Sequence, residues 1–377
     1  MMGSCFHDAW WRLATERRPR TLLERLICGL LRIGSWIFLA ASSARNAAFD
    51  LGIIRPVRLP CPVVSVGNLT VGGTGKTSCV ELIARKLLAR GRRVAVLSRG
   101  YGGGAGSYWL RWEGGRLAVG GRSGADGALA DEPQLLAARL PGVPVLVGAD
   151  RVRSARAALA EFGADALVLD DGFQHRRIAR DCDLVLIHAG MPFDGWALLP
   201  RGPMREPLAA LGRAHLIIIT KAEGALERVS ALGERLRAIH PGAELLSAEH
   251  RPVKLTDPVR GAALGLEALS GRRVALVSSI GDPAGFETTL ARLHAQVAWH
   301  QAFPDHHRYR SGEWDALTSR LRAGGAEALV TTEKDWVRLA PVAAGEAPVP
   351  VWVLAVALTL IDGEDVLDAR LACLFDR

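Results

Sequence analysis

The stretch SVGNLTVGGTGKT, residues 65–77, decides the fold class of this chain. It follows a short β-branched run at 63–66, which predicts a strand, and it leads into a run at 76–90 with the composition of a helix. A glycine-rich loop between a strand and a helix N-terminus is the arrangement of a P-loop, whose backbone N–H groups surround nucleotide phosphates. A glycine-rich turn that binds no nucleotide is the alternative.

The predicted phosphate-binding residues are Thr70, Val71, Gly72, Gly73, Thr74, Gly75, Lys76 and Thr77. In a P-loop, Lys76 reaches the β- and γ-phosphate oxygens and the Thr77 hydroxyl can ligate Mg²⁺. The common P-loop pattern has glycine at the position of Thr70. We expect this departure to have little effect, because three glycines remain in the loop.

The order of apolar runs predicts the rest of the fold. From residue 62 onward, β-branched runs alternate with alanine-, leucine- and arginine-rich runs, which predicts a doubly wound, mostly parallel α/β sheet of P-loop NTPase type. Strands are predicted at 63–66, 94–97, 145–147, 167–169, 184–187, 216–220, 274–278, 328–331 and 351–354, and helices at 76–90, 132–140, 152–162 and 225–239. We expect an N-terminal helical region at 1–50, a P-loop core at 51–250 with an inserted hairpin near 103–127, and a smaller α/β lobe at 251–377.

Carboxylates follow two of the predicted elements. The predicted strand at 167–169 ends in Asp170 and Asp171, and Asp131 opens the predicted helix that continues through Glu132. A carboxylate at a strand tip beside a P-loop is where Mg²⁺ or its water ligands are held. The alternatives are a solvated Asp-Asp-Gly turn and, for Asp131, a helix N-cap.

Two more segments carry candidate site residues. Arg99 and Tyr101 follow the strand at 94–97, and strand ends face the ligand in a parallel sheet, so we expect Arg99 to contact phosphate and Tyr101 a ring. The segment FPDHHRY at 303–309 has two adjacent histidines, which point in different directions on most backbones and so do not favour a two-histidine metal site. One histidine near a carboxylate would instead orient or tune a general base, and a surface loop is the alternative.

Residues 22–44 predict a helix with one apolar face. The side chains on that face are Leu23, Leu26, Ile27, Leu30, Ile33, Ile37 and Ala41. We expect a helix that lies on an anionic membrane surface. A core helix, a membrane span that contains Arg32, and a secretory signal are the alternatives.

Composition narrows the partners only slightly. Apolar residues make up 49% of the chain and charged residues 23%, which is enough for a globular core. The net charge of +8 comes mostly from arginine and is compatible with nucleic acid, anionic lipid or phosphorylated small molecules. Charge alone does not choose among these three.

Taken together, these segments resemble the tetraacyldisaccharide 4′-kinase family, the lipid A 4′-kinases of Gram-negative bacteria. The pieces that carry the resemblance are GNLTVGGTGKT (67–77), LSRGYG (97–102), DEP (131–133), ADR (149–151), LDDGFQH (169–175), PRGPMREP (200–207), FPDHHRY (303–309) and TTEKD (331–335). Each piece alone is weak, but the combination is specific, and it extends from about residue 20 to about residue 360.

The resemblance implies an enzyme that transfers the γ-phosphoryl group of ATP to the 4′-hydroxyl of a tetraacylated glucosamine disaccharide 1-phosphate, giving the 1,4′-bisphosphate in lipid A biosynthesis. It implies ATP and Mg²⁺ as cofactors and the inner-membrane lipid surface as a partner. It also implies a location at the cytoplasmic face of that membrane, peripheral or monotopic through the N-terminal helix. We expect no nucleic-acid partner and no obligate protein partner.

The resemblance also implies residue roles. It makes Asp131 the catalytic base, assisted by His306, with Lys76 as the third catalytic residue. The implied Mg²⁺-binding and nucleotide-orienting residues are Thr77, Glu132, Asp170 and Asp171. The predicted substrate-binding residues are Arg99, Tyr101, Arg151 and Gln174.

Two other functions stay open from the residues alone. A regulatory P-loop NTPase would need a base-specificity element, and Thr220-Lys221-Ala222-Glu223 differs from the Asn-Lys-x-Asp element of GTPases at its first and last residues. A soluble kinase that phosphorylates a polar metabolite would need no N-terminal membrane helix.

Overall fold

The computed structural model describes residues 21–100, 106–122, 129–190, 197–343 and 347–376. Within these ranges one sheet of 14 strands runs through the molecule, in the order β12-β11-β13-β14-β9-β8-β7-β1-β6-β2-β5-β3-β4, with β10 paired to β9. The strands are β1 Val63–Asn68, β2 Val94–Ser98, β3 Ser107–Glu113, β4 Arg116–Arg122, β5 Val145–Val147, β6 Ala166–Asp170, β7 Cys182–His188, β8 Leu216–Thr220, β9 Glu244–Asp257, β10 Ala262–Leu264, β11 Arg273–Ser278, β12 Gln296–Ala302, β13 Ala328–Thr332 and β14 Val351–Asp362.

Helices cover this sheet. They are α1 Leu22–Asp50, α2 Lys76–Ala89, α3 Asp131–Arg139, α4 Arg151–Phe162, α5 Leu226–Ile239, α6 Pro283–Arg292, α7 Ser311–Gly324, α8 Glu333–Leu339 and α9 Glu364–Ala372, with short 3₁₀ helices at Leu208–Arg213 and Leu266–Leu269.

The central strands are buried on both faces. Val64 and Val66 of β1 join the core cluster that contains α2 and α3, whereas Val63 joins the cluster that contains α4. Successive side chains of a strand point to opposite faces, so each strand contributes to two cores, and each fully buried aliphatic side chain contributes roughly 1.5–3 kcal/mol. The predicted doubly wound, mostly parallel α/β sheet is confirmed.

A long antiparallel pair joins the two parallel parts of the sheet. The P-loop half contains the parallel series β8-β7-β1-β6-β2-β5, and the second half contains the parallel series β12-β11-β13-β14. Strand β9 lies parallel to β8 and antiparallel to β14, which joins the halves. The predicted boundary between the P-loop core and the smaller lobe, at residue 250, falls inside β9. The limits of the two lobes therefore remain a prediction.

Sequence periodicity located most elements of the P-loop half to within one or two residues. Strands β3 and β4 form the inserted antiparallel hairpin at the β5 edge, although 103–105 and 123–127 lie outside the described residues. Strand β9 was not predicted, because its buried and exposed side chains do not alternate regularly. Strand β14 is longer than the predicted run at 351–354 for the same reason.

Helix α1 leaves an apolar face uncovered. Thr21 and Glu24 form a capping box at its start. The exposed apolar side chains of the helix include Leu23, Leu26, Leu30, Ile33, Trp36 and Ile37. Among the described residues α1 is the one helix long and apolar enough to cross a membrane, and little of its apolar segment is buried. This exposure disfavours the core-helix alternative. Residues 1–20 of the predicted N-terminal region lie outside the described residues.

The opposite face of α1 packs on the P-loop half. The Ser35 hydroxyl donates to the Leu198 carbonyl at 2.7 Å and accepts from the Arg201 N–H at 3.0 Å. Near the helix end, Arg45 donates to the Gln174 carbonyl at 2.7 Å. The helix is therefore attached to the loop that follows the strand-end aspartates.

Candidate active site

The P-loop lies between the end of β1 and the start of α2. Gly72 and Gly75 have φ values of 109° and 88°, which residues with a side chain rarely adopt. A Cβ on Gly75 would also lie 2.6 Å from Nε2 of His250. The loop is held from within, since the Asn68 amide donates to the Thr74 hydroxyl at 2.9 Å and the Thr220 hydroxyl donates to the Thr74 carbonyl at 3.1 Å.

Thr70 replaces the usual first glycine because this position is paired with another segment. Thr70 forms an antiparallel bridge with Met204, and the neighbouring Val71 N–H donates to the Pro203 carbonyl at 2.8 Å. On the other side, the Arg205 N–H donates to the Leu69 carbonyl at 2.7 Å. The segment at 200–207 therefore supports the start of the P-loop, and an extended residue fits there.

Asp170 is a buried carboxylate at the end of β6. Its Oδ2 accepts a hydrogen bond from the Ser98 hydroxyl at 2.9 Å. Burial, followed by the charges of Glu132 and Asp171, raises the pKa of Asp170 to about 6. Asp170 thus feels the negative charge of two further carboxylates near the P-loop, a setting that suits a divalent cation.

Asp171 has a different environment. Its φ is 52°, in the left-handed region, and both carboxylate oxygens accept hydrogen bonds from Nη1 of Arg205, at 2.8 and 2.7 Å. Lys76 Nζ lies 3.7 Å from Oδ1 of Asp171. Burial acts to raise the pKa of Asp171, but Lys76 and Arg205 outweigh it and hold the pKa below its ordinary value. Asp171 is therefore an anion that holds two cations next to the phosphate loop.

The residues present fit a magnesium ion by donor chemistry. Thr77 is buried in the first turn of α2, and Asp170 lies at the end of the adjacent strand. Among the described residues no group of three or more His, Cys, Asp or Glu side chains forms a metal cage of its own. Mg²⁺ in phosphoryl-transfer sites is commonly held by one or two carboxylates together with substrate phosphates, so a full protein cage is not required.

Arg338 connects Asp131 with His306. Asp131 is the first residue of α3 and Ala130 is the N-cap, so the N-cap alternative for Asp131 is wrong. Arg338 Nε donates to Oδ2 of Asp131 at 2.6 Å, and Nη2 lies 3.0 Å from Nδ1 of His306. The predicted acid and histidine are thus brought together through a guanidinium group that the sequence did not single out. The sequence feature that could have identified Arg338 is its position on α8, three residues after the TTEKD segment.

The remaining predicted residues differ in how they relate to this centre. Arg151 is buried at the start of α4, and its charge is one of those that lower the pKa of Asp171. Glu132 lies 3.6 Å from the Lys334 ammonium. Arg99 follows β2 and is exposed, and Tyr101 lies outside the described residues. The Gln174 amide donates to the Asn68 carbonyl at 2.9 Å, so this side chain contacts the P-loop strand.

A P-loop followed by a helix, with aspartates at the end of the adjacent parallel strand, defines this chain as a nucleotide-binding protein of the P-loop class. The sequence model of the tetraacyldisaccharide-1-P 4′-kinase family, LpxK, matches residues 27–375. The chain therefore belongs to that family.

Relatives and a solved structure agree with this family. The tetraacyldisaccharide 4′-kinase of Anaeromyxobacter dehalogenans strain 2CP-C is 46% identical over 365 residues, which cover 96% of this chain and 93% of that one. The enzyme of the same name from Syntrophus aciditrophicus is 41% identical over 334 residues, 86% of each chain. The crystal structure of LpxK from Aquifex aeolicus in complex with ATP superposes with a TM-score of 0.72 at 29% identity, covering 93% of this chain and 99% of that one.

Proposed function

We propose that this chain transfers the γ-phosphoryl group of ATP to the 4′-hydroxyl of a tetraacyldisaccharide 1-phosphate, a step of lipid A biosynthesis. Family membership over residues 27–375 identifies the reaction. The observation that supports assigning the reaction to this site is that Asp131, paired with Arg338, opens α3 directly before Glu132, whose charge helps to raise the pKa of Asp170 at the end of β6.

The chemistry requires a proton acceptor and a cationic environment. A sugar hydroxyl is a poor nucleophile, so a carboxylate within hydrogen-bond reach has to take its proton as the bond to phosphorus forms. Asp131 performs this step, and His306 assists it. Lys76 and the backbone N–H groups of the loop orient the β- and γ-phosphates and stabilise charge on the leaving group.

Thr77, Asp170, Asp171 and Glu132 would hold Mg²⁺ or its water ligands and orient the nucleotide. When bound, Mg²⁺ supplies positive charge to the phosphate oxygens. The raised pKa of Asp170 supports this role, because a buried carboxylate beside two others has charge that a cation compensates. Asp171 keeps Lys76 and Arg205 in place. Arg99, Tyr101, Arg151 and Gln174 contact the substrate or its phosphate in this proposal.

We infer that the enzyme lies on the cytoplasmic face of the inner membrane and is attached to it, peripherally or as a monotopic protein, by helix α1. Its exposed apolar face is the support for this location, since Leu26 is 67% exposed and Leu30 is 63% exposed. An amphipathic helix of this kind buries its apolar face at the level of the lipid headgroups. The acylated substrate resides in the same layer, so the site and the substrate meet there.

The test of the activity is incubation of the full chain with ATP, Mg²⁺ and a tetraacyldisaccharide 1-phosphate in detergent. We expect a 1,4′-bisphosphate product that requires all three components. Lys76→Ala is the matched variant, and we expect it to lose most transfer while its unfolding temperature stays near that of the parent chain. A folded parent protein that binds ATP and forms no bisphosphate would contradict the proposal.

The test of the membrane role uses vesicles that contain anionic phospholipid. We expect Leu26→Glu with Leu30→Glu to reduce co-sedimentation with these vesicles while activity in detergent is retained. Val253→Glu is the control, because Val253 is also an exposed apolar residue, 55% exposed, but lies on β9. Full activity without residues 1–50 and without detergent would instead favour a soluble kinase of a polar metabolite.

A further inference from the structure

Arg338 is an almost fully buried arginine with a separate partner on each nitrogen. Its side chain is 4% exposed. Nε donates to Oδ2 of Asp131 at 2.6 Å, Nη1 donates to the Ser279 hydroxyl at 3.1 Å, and Nη2 lies 3.0 Å from Nδ1 of His306. These partners come from α3, from the residue that follows β11 and from the loop after β12, so one guanidinium joins the two halves of the sheet.

The contact with His306 determines which ring nitrogen carries the proton. A guanidinium has N–H donors and no acceptor, so Nδ1 of His306 has to accept the hydrogen bond with its lone pair. The neutral ring is then the Nε2–H tautomer, and Nε2–H is the group that it can donate. A histidine without this partner samples both tautomers, and only one of them presents a donor at Nε2.

The contact with Asp131 determines which of its carboxylate oxygens is available to the substrate hydroxyl. Arg338 binds Oδ2, and the Asp131 side chain is 37% exposed, which leaves Oδ1 as the oxygen for the incoming hydroxyl. The planar guanidinium also fixes the orientation of the carboxylate relative to the histidine, because its N–H groups point in fixed directions. A lysine has one ammonium on a flexible chain and cannot hold both groups in the same way.

The guanidinium is itself held in place. Asp335 lies 4.0 Å from Nη1 of Arg338, and the Ser279 hydroxyl that accepts from Nη1 donates in turn to Asp335. His306 has a φ of 60°, and its backbone N–H donates to the Ser279 carbonyl at 3.2 Å. A non-glycine backbone held in this conformation needs surrounding contacts to keep it there, and backbone strain of this kind clusters at functional sites.

We propose that Arg338 is a positioning residue of the transfer reaction, which orients the Asp131 carboxylate and fixes His306 as its Nε2–H tautomer. This inference rests on the proposed function for the reaction that it serves. Arg338 acts through Asp131 and His306, so its removal affects the chemical step rather than nucleotide binding.

The kinetic test compares Arg338→Met, Arg338→Lys and the control Arg272→Ala. Met keeps an unbranched apolar stem and removes the charged guanidinium group, and we expect it to lower kcat ~100-fold with the KM for ATP changed less than ~2-fold, as expected for loss of catalytic orientation. We expect Lys to recover ~10-fold of that loss, since it restores one of the two contacts. Arg272 forms an exposed ion pair with Glu327 in the same half, so Arg272→Ala leaves kcat unchanged.

A double-mutant cycle with His306→Ala separates positioning from a general structural role. If Arg338 acts through His306, Arg338→Met in the His306→Ala background lowers kcat much less than it does in the parent chain. Equal effects in both backgrounds, or a KM for ATP that rises as much as kcat falls, overturn the proposal.

The tautomer is measured independently of activity, so its outcome does not depend on the proposed function. In full-length protein with ¹⁵N-labelled histidine, the His306 signals are identified by their loss in His306→Gln. We expect the Nε2–H tautomer in the parent chain and a mixture in Arg338→Met. If Arg338→Met does not fold, Arg338→Lys serves in its place, with partial mixing expected. An unchanged tautomer in the folded variant overturns the positioning role, even if the kinase activity is confirmed.

Discussion

Asp170 in the P-loop half and Asp335 in the second half are both buried aspartates near the carboxyl ends of parallel strands, but their surroundings differ. Asp335 accepts hydrogen bonds from the Ser279 N–H at 2.9 Å, the Tyr309 hydroxyl at 3.1 Å and the Thr332 hydroxyl at 2.7 Å. Asp170 accepts a hydrogen bond from Ser98, and burial, followed by the charges of Glu132 and Asp171, raises its pKa to about 6.

The difference between the two aspartates indicates that the two halves of the sheet have different roles. The donors around Asp335 compensate its charge within the protein, so that it supports Arg338 and the loop at 303–309. Burial, and then the Asp335 charge, raise the pKa of Tyr309, so this phenol keeps the proton that it donates. Asp170 has fewer donors, and in the proposed function a bound cation would compensate its charge. A buried carboxylate with many donors is thus a structural group, and one that faces other carboxylates is a candidate binding group.

The largest expected effect concerns the chemical step. Asp131→Asn keeps a side-chain oxygen for Arg338 and removes the proposed proton acceptor, so we expect kcat to fall by roughly 10³-fold, as for loss of a general base. The affinity for ATP should stay nearly intact, because Asp131 does not belong to the phosphate loop. Steady-state kinetics and ATP titration measure the two effects separately.

Asp315→Asn is the matched control for this variant. Asp315 is an exposed aspartate on α7, so the same change of charge there should leave kcat and ATP affinity unchanged. If Asp131→Asn bound ATP poorly and its turnover at saturating ATP were normal, Asp131 would be a nucleotide-binding residue, and the division between the halves would have to be redrawn.

The sequence predicted the P-loop half better than the contacts that complete the site. Local patterns suffice for a loop such as 65–77, because a glycine-rich turn, a strand and a helix N-terminus are all short-range features. Arg338 and Arg205 were missed, since each is defined by a partner distant in the chain, Asp131 and Asp171. Arginine is abundant in this sequence, so residue type gave no signal. Strand β9 was missed because its burial is irregular and its pairing with β14 is long-range.

A large change in stability is expected in the second half. Asp335→Asn replaces one carboxylate oxygen by an NH₂ group, which cannot accept the hydrogen bonds that the surrounding groups donate. The substitution also removes the negative charge near the buried Arg338. We expect a loss of about 3–5 kcal/mol in the free energy of unfolding, the range for breaking a buried ionic network from one side. Urea unfolding measures it. Asp365→Asn is the control, because Asp365 is exposed at the start of α9 and the same substitution there should change stability little.

The smallest expected effect is a gain in stability on substitution of Asp170. Asp170→Asn keeps an acceptor for the Ser98 hydroxyl and removes a carboxylate whose ionisation is costly beside Glu132 and Asp171. We expect the variant to unfold at a higher urea concentration than the parent chain at pH 7 in the absence of nucleotide, with a gain of as much as about 3 kcal/mol from a pKa raised by about two units. The same variant should lose most of its transfer activity, since it lacks a predicted magnesium ligand.

The pH dependence of the stability gain in Asp170→Asn tests whether the raised pKa of Asp170 causes it. Below about pH 4 the carboxyl is protonated in both the folded and the unfolded chain, so parent and variant should have the same stability. Between pH 4 and the folded pKa of about 6, the unfolded chain releases the proton and the folded chain retains it, so the parent loses stability as the pH rises. Above pH 6 the difference is constant. Saturating ATP and Mg²⁺ should reduce or reverse the difference in stability between the variant and the parent chain, because they stabilise the parent by binding its carboxylate form. A variant less stable than the parent at pH 7 would show that Asp170, like Asp335, is compensated within the protein, and the comparison would no longer distinguish the two halves.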